Sequence, residues 1–157
     1  MNRESRPTYN MNGWLFCWKN NMNDSNTQFL KETFPTFYKD NFFFECGDGW
    51  TDLLFKLGAF VTNRTKNCMA VQIKEKFGLL RIYIDFDVNG LGECLVEPDI
   101  QDEIYNYIHE LEIQSRDICE DCGTILNESN RVAKRNAYWL ANICQNCSQI
   151  IKQQSRK

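Results

Sequence analysis

Histidine occurs once, at His109, proline three times, and no apolar run approaches the roughly 18 residues needed to span a bilayer. A single histidine rules out a histidine-cluster metal site, and nothing in the sequence sets His109 beside a thiol as a Cys–His nucleophilic pair would require. The first 20 residues lack the basic start and unbroken apolar stretch of a secretory leader, so the expectation is a cytoplasmic chain without a membrane segment. Lys and Arg are missing from Ile82 through Ser115, where nine carboxylates stand between Asp85 and Glu112. A stretch of that sign repels a phosphate backbone; its bland reading is a solvated, solubilising face. Nucleophile elbows, glycine-rich phosphate loops and recognisable catalytic carboxylate pairs are also lacking, which ranks an enzyme below a binding protein.

What is present is enough to fold. The 157 residues make one domain, or one with a small appendage, and at 43% hydrophobic and 13% aromatic the chain can bury a core. Charge divides along it: residues 1–114 hold 11 Lys/Arg against 17 Asp/Glu, net -6, while residues 115–157 hold 7 against 4, net +3.

The eight cysteines are the strongest local signal. Cys119-Glu120-Asp121-Cys122 and Cys144-Gln145-Asn146-Cys147 form two CxxC knuckles with 21 residues between them, close to the spacing of a four-cysteine zinc site. A tight turn across each CxxC brings two thiolates to one side of the chain, and one tetrahedral zinc ion accepts both pairs. Gly123 after the first knuckle supplies the backbone freedom for such a turn. Disulfides are disfavoured by the cytoplasmic expectation, and a thioredoxin-like redox motif would leave the second knuckle unexplained. An iron–sulfur cluster is the remaining competitor to a single structural zinc ion. Cys17, Cys46, Cys68 and Cys94 stand alone and read as small buried hydrophobes, and His109 as a satisfied surface or core residue.

Residues 1–26 form an Asn-rich start in which Trp14, Phe16 and Trp18 alternate as in a short edge strand. Thr27–Asp40 has helical apolar spacing that Pro35 should break. Trp50–Val61 predicts a helix with Trp50, Leu53, Leu54, Leu57 and Val61 on its core face and Asp48 or Thr51 as N-cap. Val71–Asp87 predicts a hairpin turning near Phe77-Gly78, with Val71, Ile73, Glu75 and Phe77 on one face and Gln72, Lys74, Lys76, Arg81 and Tyr83 on the other. Pro98 opens a helix that runs to about Ser115 and into the first knuckle. Arg131–Asn136 reads as a polar turn, Ala137–Ile143 as a strand entering the second knuckle, and the end as a short helix or frayed tail. The fold class is therefore α+β: a core over 27–115 of helices on a small antiparallel sheet, and a zinc ribbon with a basic tail over 116–157.

Cys46-Gly47-Asp48-Gly49-Trp50, then Gln72 through Tyr83 with its KEKFG-x-LR core, then Glu112-Ile113-Gln114-Ser115 and the two knuckles resemble, in order and spacing, a family of small, uncharacterised phage- and prophage-type zinc-ribbon proteins. The resemblance covers about residues 45–147. This chain departs from the pattern in having Ile125-Leu126 where a second glycine follows Gly123, and in its Asn-rich start. The resemblance implies a shared fold and, for a phage-encoded chain, the host cytoplasm; it brings no reaction with it.

Asp48, Lys74, Lys76, Arg81, Tyr83 and Trp50 are the candidate ligand residues, with Glu75, Glu112 and Ser115 beside them. The structural reading makes Asp48 a helix cap, pairs Arg81 with Glu112 or Glu75, and leaves both lysines solvated. The functional reading has Arg81 clamp a phosphate or carboxylate, Lys74 and Lys76 add charge, and Trp50 or Tyr83 stack on a flat group. Three classes follow: a non-enzymatic binder of an anionic, nucleotide-like ligand or of a host protein, as in counter-defence; a nucleic-acid-binding accessory protein; and an enzyme. Four zinc-bound thiolates (-4) and the ion (+2) would take the whole chain from -3 to -5 and the ribbon from +3 to +1, which argues against strong duplex DNA binding. The binder leads, and the oligomeric state stays open.

Overall fold

The computed structural model describes residues 21–132 and 142–154. Its first element is α1 (Asp24–Thr33), capped by Asn23, whose side chain accepts the Asn26 amide at 2.8 Å. The helix expected over 27–40 closes at Thr33 because Pro35 has no amide to donate and its ring would clash with the preceding turn. The chain turns there instead, with the Phe37 and Tyr38 amides both bonded to Phe34 O, and both rings enter the core.

β1 (Phe44–Glu45) leads into a one-turn 3-10 helix (Asp48–Trp50) and then α2 (Thr51–Thr62). Asp48 does not cap α2: its Oδ1 accepts the Asn23 amide and the Asn26 side-chain amide, each at 2.9 Å, and so ties the start of α1 to this turn. β2 (Cys68–Lys76) and β3 (Leu79–Phe86) form the expected hairpin around Phe77-Gly78. β1 adds in parallel to β2, with Phe44 opposite Ile73, giving a three-stranded sheet in the order β1-β2-β3. α3 (Pro98–Ser115) begins with its proline in the first turn, where a missing amide costs nothing. α4 (Gln145–Gln154) follows the second knuckle.

One expected face is altered by the ladder. Ala70 pairs with Ile84 and Gln72 with Tyr83, so the register shifts around Val71, which is 56% exposed rather than turned to the core. Ile73 opposite Ile82 and Glu75 opposite Leu80 hold the inner face. That face meets α2 and α3 in a core built from Trp50, Phe37, Tyr38, Leu54, Ile104 and Leu111 with their neighbours. The buried Tyr38 hydroxyl is satisfied by Leu54 O at 2.6 Å. A second, small cluster of Cys119, Leu126, Ile143 and Cys144 lies in the ribbon. Among the described residues no helix is long and apolar enough to cross a membrane. The strand expected around Trp14–Trp18, Cys17, and most of the strand expected before Ile143 lie outside the described residues.

Candidate functional site

The first knuckle is a short turn closed by backbone. Ile118 bridges Ile125, the Cys119 amide donates to Thr124 O at 2.8 Å, and the Gly123 amide returns to Cys119 O at 2.9 Å. Gly123 sits at φ +77°, the left-handed conformation that favours glycine, in keeping with its place after the knuckle. In the second knuckle Cys144 bridges Arg131, and the Ser148 amide bonds Cys144 O as α4 begins. The four sulfurs of Cys119, Cys122, Cys144 and Cys147 lie within 4.8 Å of one another, and Cys122 Sγ is 3.7 Å from Cys144 Sγ. Bonds of about 2.3 Å to a tetrahedral zinc ion set ligand sulfurs about 3.8 Å apart, whereas a disulfide needs about 2.05 Å. All four are free thiols. The donor set fits one structural zinc ion and, with four thiolates, leaves no coordination position for a catalytic water.

The surroundings act on the thiols of Cys119, Cys122 and Cys147 in opposite directions. The Cys144 amide points at Cys119 Sγ at 3.3 Å, and the Thr124 hydroxyl is 3.2 Å from Cys122 Sγ. Burial pushes the Cys119 thiol up to about 11. At Cys122 burial acts in the same direction, but hydrogen bonds with Thr124 and the neighbouring thiols outweigh it and bring the group to about 7. A metal ion must displace protons from such thiols, so its hold weakens as pH falls.

The Cys46–Trp50 motif is the seat of this centre. The Gly49 amide donates to Glu120 O at 2.8 Å and the Trp50 indole N–H to Ile118 O at 3.2 Å. A Cβ on Gly49 would lie 2.0 Å from Cys119 O, and one on Gly47 2.2 Å from Glu120 O, so both glycines are required by backbone packed on backbone. Trp50, expected to offer a stacking face, is fully buried in the core; it docks the ribbon and has no surface for a ligand. Glu120 is 8% exposed and its Oε2 has no hydrogen-bond partner among the described residues; burial, then Glu75 and Asp121, push its carboxyl up to about 8. From the other side, Asn142 donates to Ser115 O (2.8 Å) and Arg116 O (2.6 Å), satisfying carbonyls at the end of α3, and accepts from Arg131 at 2.8 Å.

The Glu112–Ser115 motif closes the outer edge of β3. Ser115 Oγ accepts the Leu80 amide at 3.0 Å and Glu112 Oε1 the Ile82 amide at 2.9 Å. Positions three apart on a helix thereby meet amides two apart on a strand, and an edge open to foreign strands is covered. Glu112 Oε2 holds Arg81 at 3.1 Å, which is the pairing the structural reading expects.

Lys74 stands directly opposite Arg81, Gln72 opposite Tyr83, and Lys76 opposite Leu79, so these side chains share the outer face of the hairpin. Lys74 Nζ bonds Gln72 Oε1 at 3.0 Å and lies 5.4 Å from the Tyr83 ring, which is 45% exposed. At the tip, Phe77 adopts φ +56° and Gly78 φ +76°, with the Gly78 amide held by Glu75 Oε1 at 2.6 Å. The left-handed region costs a non-glycine residue roughly 1–2 kcal/mol, and the Phe77 ring is 69% exposed with Lys76 Nζ 5.6 Å from its centroid. Phe77, expected to continue the alternation of Val71, Ile73 and Glu75 and given no ligand role, stands instead in the turn with its ring exposed; a bulky side chain at the first position of a two-residue turn, where Asn is preferred, is the signal that could have singled it out. Asp48 lies with Asn23 and Asn26, outside this face. Cys46 and Cys68 are buried as expected, but Cys94 is exposed, beyond the sheet in the loop before α3. His109 is exposed on α3.

Fold and centre together define an α+β protein with a four-cysteine, zinc-ribbon-type metal site. Comparison with protein-family models, with curated proteins and with solved structures finds no match to this chain.

Proposed function

We propose that this is a non-enzymatic binding protein in which the zinc centre is structural and the outer face of the β2–β3 hairpin receives an anionic, nucleotide-like ligand. The carrying observation is the register that sets Lys74 opposite Arg81, with Lys76 and Tyr83 on the same face, where three cations outnumber the one carboxylate, Glu45, that β1 sets opposite Lys74. Glu112 orients Arg81 through one nitrogen, and among the described residues its other N–H groups are left for an anion. The closed thiolate set supports the division of labour, since zinc of this kind holds a fold and does not activate water. The resemblance to phage-type proteins supports a setting in a host cytoplasm, where a ligand of a defence system is an occupant of fitting chemistry. Calorimetric titration of zinc-loaded protein with ATP as the probe tests the reading. Binding that Lys74→Ala and Arg81→Ala each weaken at least about tenfold, with zinc content and fold retained, supports it. Affinity unchanged in both variants, or no binding by the wild type, overturns it.

A further inference from the structure

The hairpin face carries a repeat that one small anion does not use. Two exposed rings, Tyr83 and Phe77, each have a lysine ammonium within 6 Å of the centroid: Lys74 at 5.4 Å and Lys76 at 5.6 Å. Arg81 stands between the two pairs, opposite Lys74. A flat apolar face beside a cation is the chemistry that receives a base and its phosphate, and here it occurs twice on the hairpin, once between β2 and β3 and once at the turn. Leu79 to Tyr83 spans about 14 Å at the rise of a β-strand, room for a few nucleotides of an extended strand.

From this we infer that the outer face of the β2–β3 hairpin is a platform for a short segment of single-stranded nucleic acid, with bases stacked on Tyr83 and Phe77 and phosphates met by Lys74, Lys76 and Arg81. The inference rests on the hairpin face being the protein's binding surface. It accounts for Phe77, whose ring stays 69% exposed on a left-handed backbone that a bulky side chain rarely adopts. A duplex offers no free base faces to these rings, and the acidic stretch that begins after Tyr83 with Asp85 opposes a longer footprint. An acidic protein surface could meet the three cations, but it does not call for a ring beside each lysine.

Fluorescence anisotropy with the full-length zinc-loaded protein decides the matter, using labelled oligo-dT and oligo-rU, a random duplex of equal length, and ATP as competitor. Single strands should bind at least about tenfold more tightly than duplex or ATP, with a modest salt dependence set by two or three phosphate contacts. Tyr83→Ala and Phe77→Ala should each weaken single-strand binding at least about fivefold, the loss expected when one stacked base is given up. Phe77→Asn, which suits the turn, should weaken binding equally while the melting temperature holds or rises. Single-strand binding that both ring substitutions leave unchanged is charge attraction alone and overturns the inference. A melting temperature lowered by Phe77→Asn makes the ring a fold residue and overturns it too. Equal affinity for ATP and oligonucleotide, sensitive to Arg81→Ala and insensitive to Phe77→Ala, overturns the inference and leaves the anionic-ligand reading standing; no binding to any probe up to about 100 µM ends both.

Discussion

Replacing Gly49 by alanine should loosen the metal centre from the core without changing any of the four sulfur ligands. The added Cβ would lie 2.0 Å from Cys119 O, 2.5 Å from Gly123 N and 2.8 Å from Glu120 C, all backbone atoms. Ordinary contact begins near 3.4 Å, so the knuckle must retreat by about 1.4 Å. Such a shift breaks the 2.8 Å bond from the Gly49 amide to Glu120 O and the 3.2 Å bond from the Trp50 indole to Ile118 O. The first loss costs about 0.5–1.5 kcal/mol, and the second, which strands a buried donor, about 1–3 kcal/mol. A total of about 2–4 kcal/mol lowers the melting temperature of a chain this long by about 5–15 °C. Calorimetry on zinc-saturated protein measures that shift, and zinc transfer to a colorimetric chelator should run at least severalfold faster than in wild type. Gly90→Ala is the control, because its Cβ would meet nothing within 4 Å. A Gly49→Ala protein that melts within about 2 °C of wild type and keeps its zinc equally well would refute the argument.

Other consequences are as direct. Metal analysis of reduced protein should find one zinc ion per chain, lost on acidification and in the Cys119→Ser, Cys144→Ser double variant; less than about half an equivalent contradicts the site. Ser115→Ala leaves the buried Leu80 amide without its acceptor and should cost about 1–3 kcal/mol in urea unfolding, with faster hydrogen exchange at Leu80; a loss below about 0.5 kcal/mol would show that the edge is closed by other means. Iodoacetamide at pH 8 should label exposed Cys94 in the native protein and spare Cys68, whose thiol is pushed up to about 12, first by burial and then by Asp87 and Asp85, leaving about one thiolate in ten thousand; prompt labelling of Cys68 would contradict its burial.

Much of this protein was determined by short-range sequence alone. The knuckle spacing specifies a four-thiolate centre because two tight turns present ligands in pairs wherever the chain between them runs. The hairpin at Phe77-Gly78 and the helix from Pro98 to Ser115 were legible because strand alternation and an N-terminal proline act over a few residues. Tertiary structure decided what depends on segments far apart in the chain. The two-residue β1 has no period to read and exists through its pairing with β2. Val71 fits the alternation of an inward residue, yet a shift in ladder register turns it out. Trp50 and Asp48 carry the chemistry of ligand residues, but one is consumed in docking the ribbon and the other in tying down α1. Glu112 and Ser115 acquire their role only because α3 lies along β3, close enough for side chains to stand in for a missing strand. Local patterns name the pieces, since each follows from backbone geometry within a turn or two; their partners are set by how the apolar faces pack together.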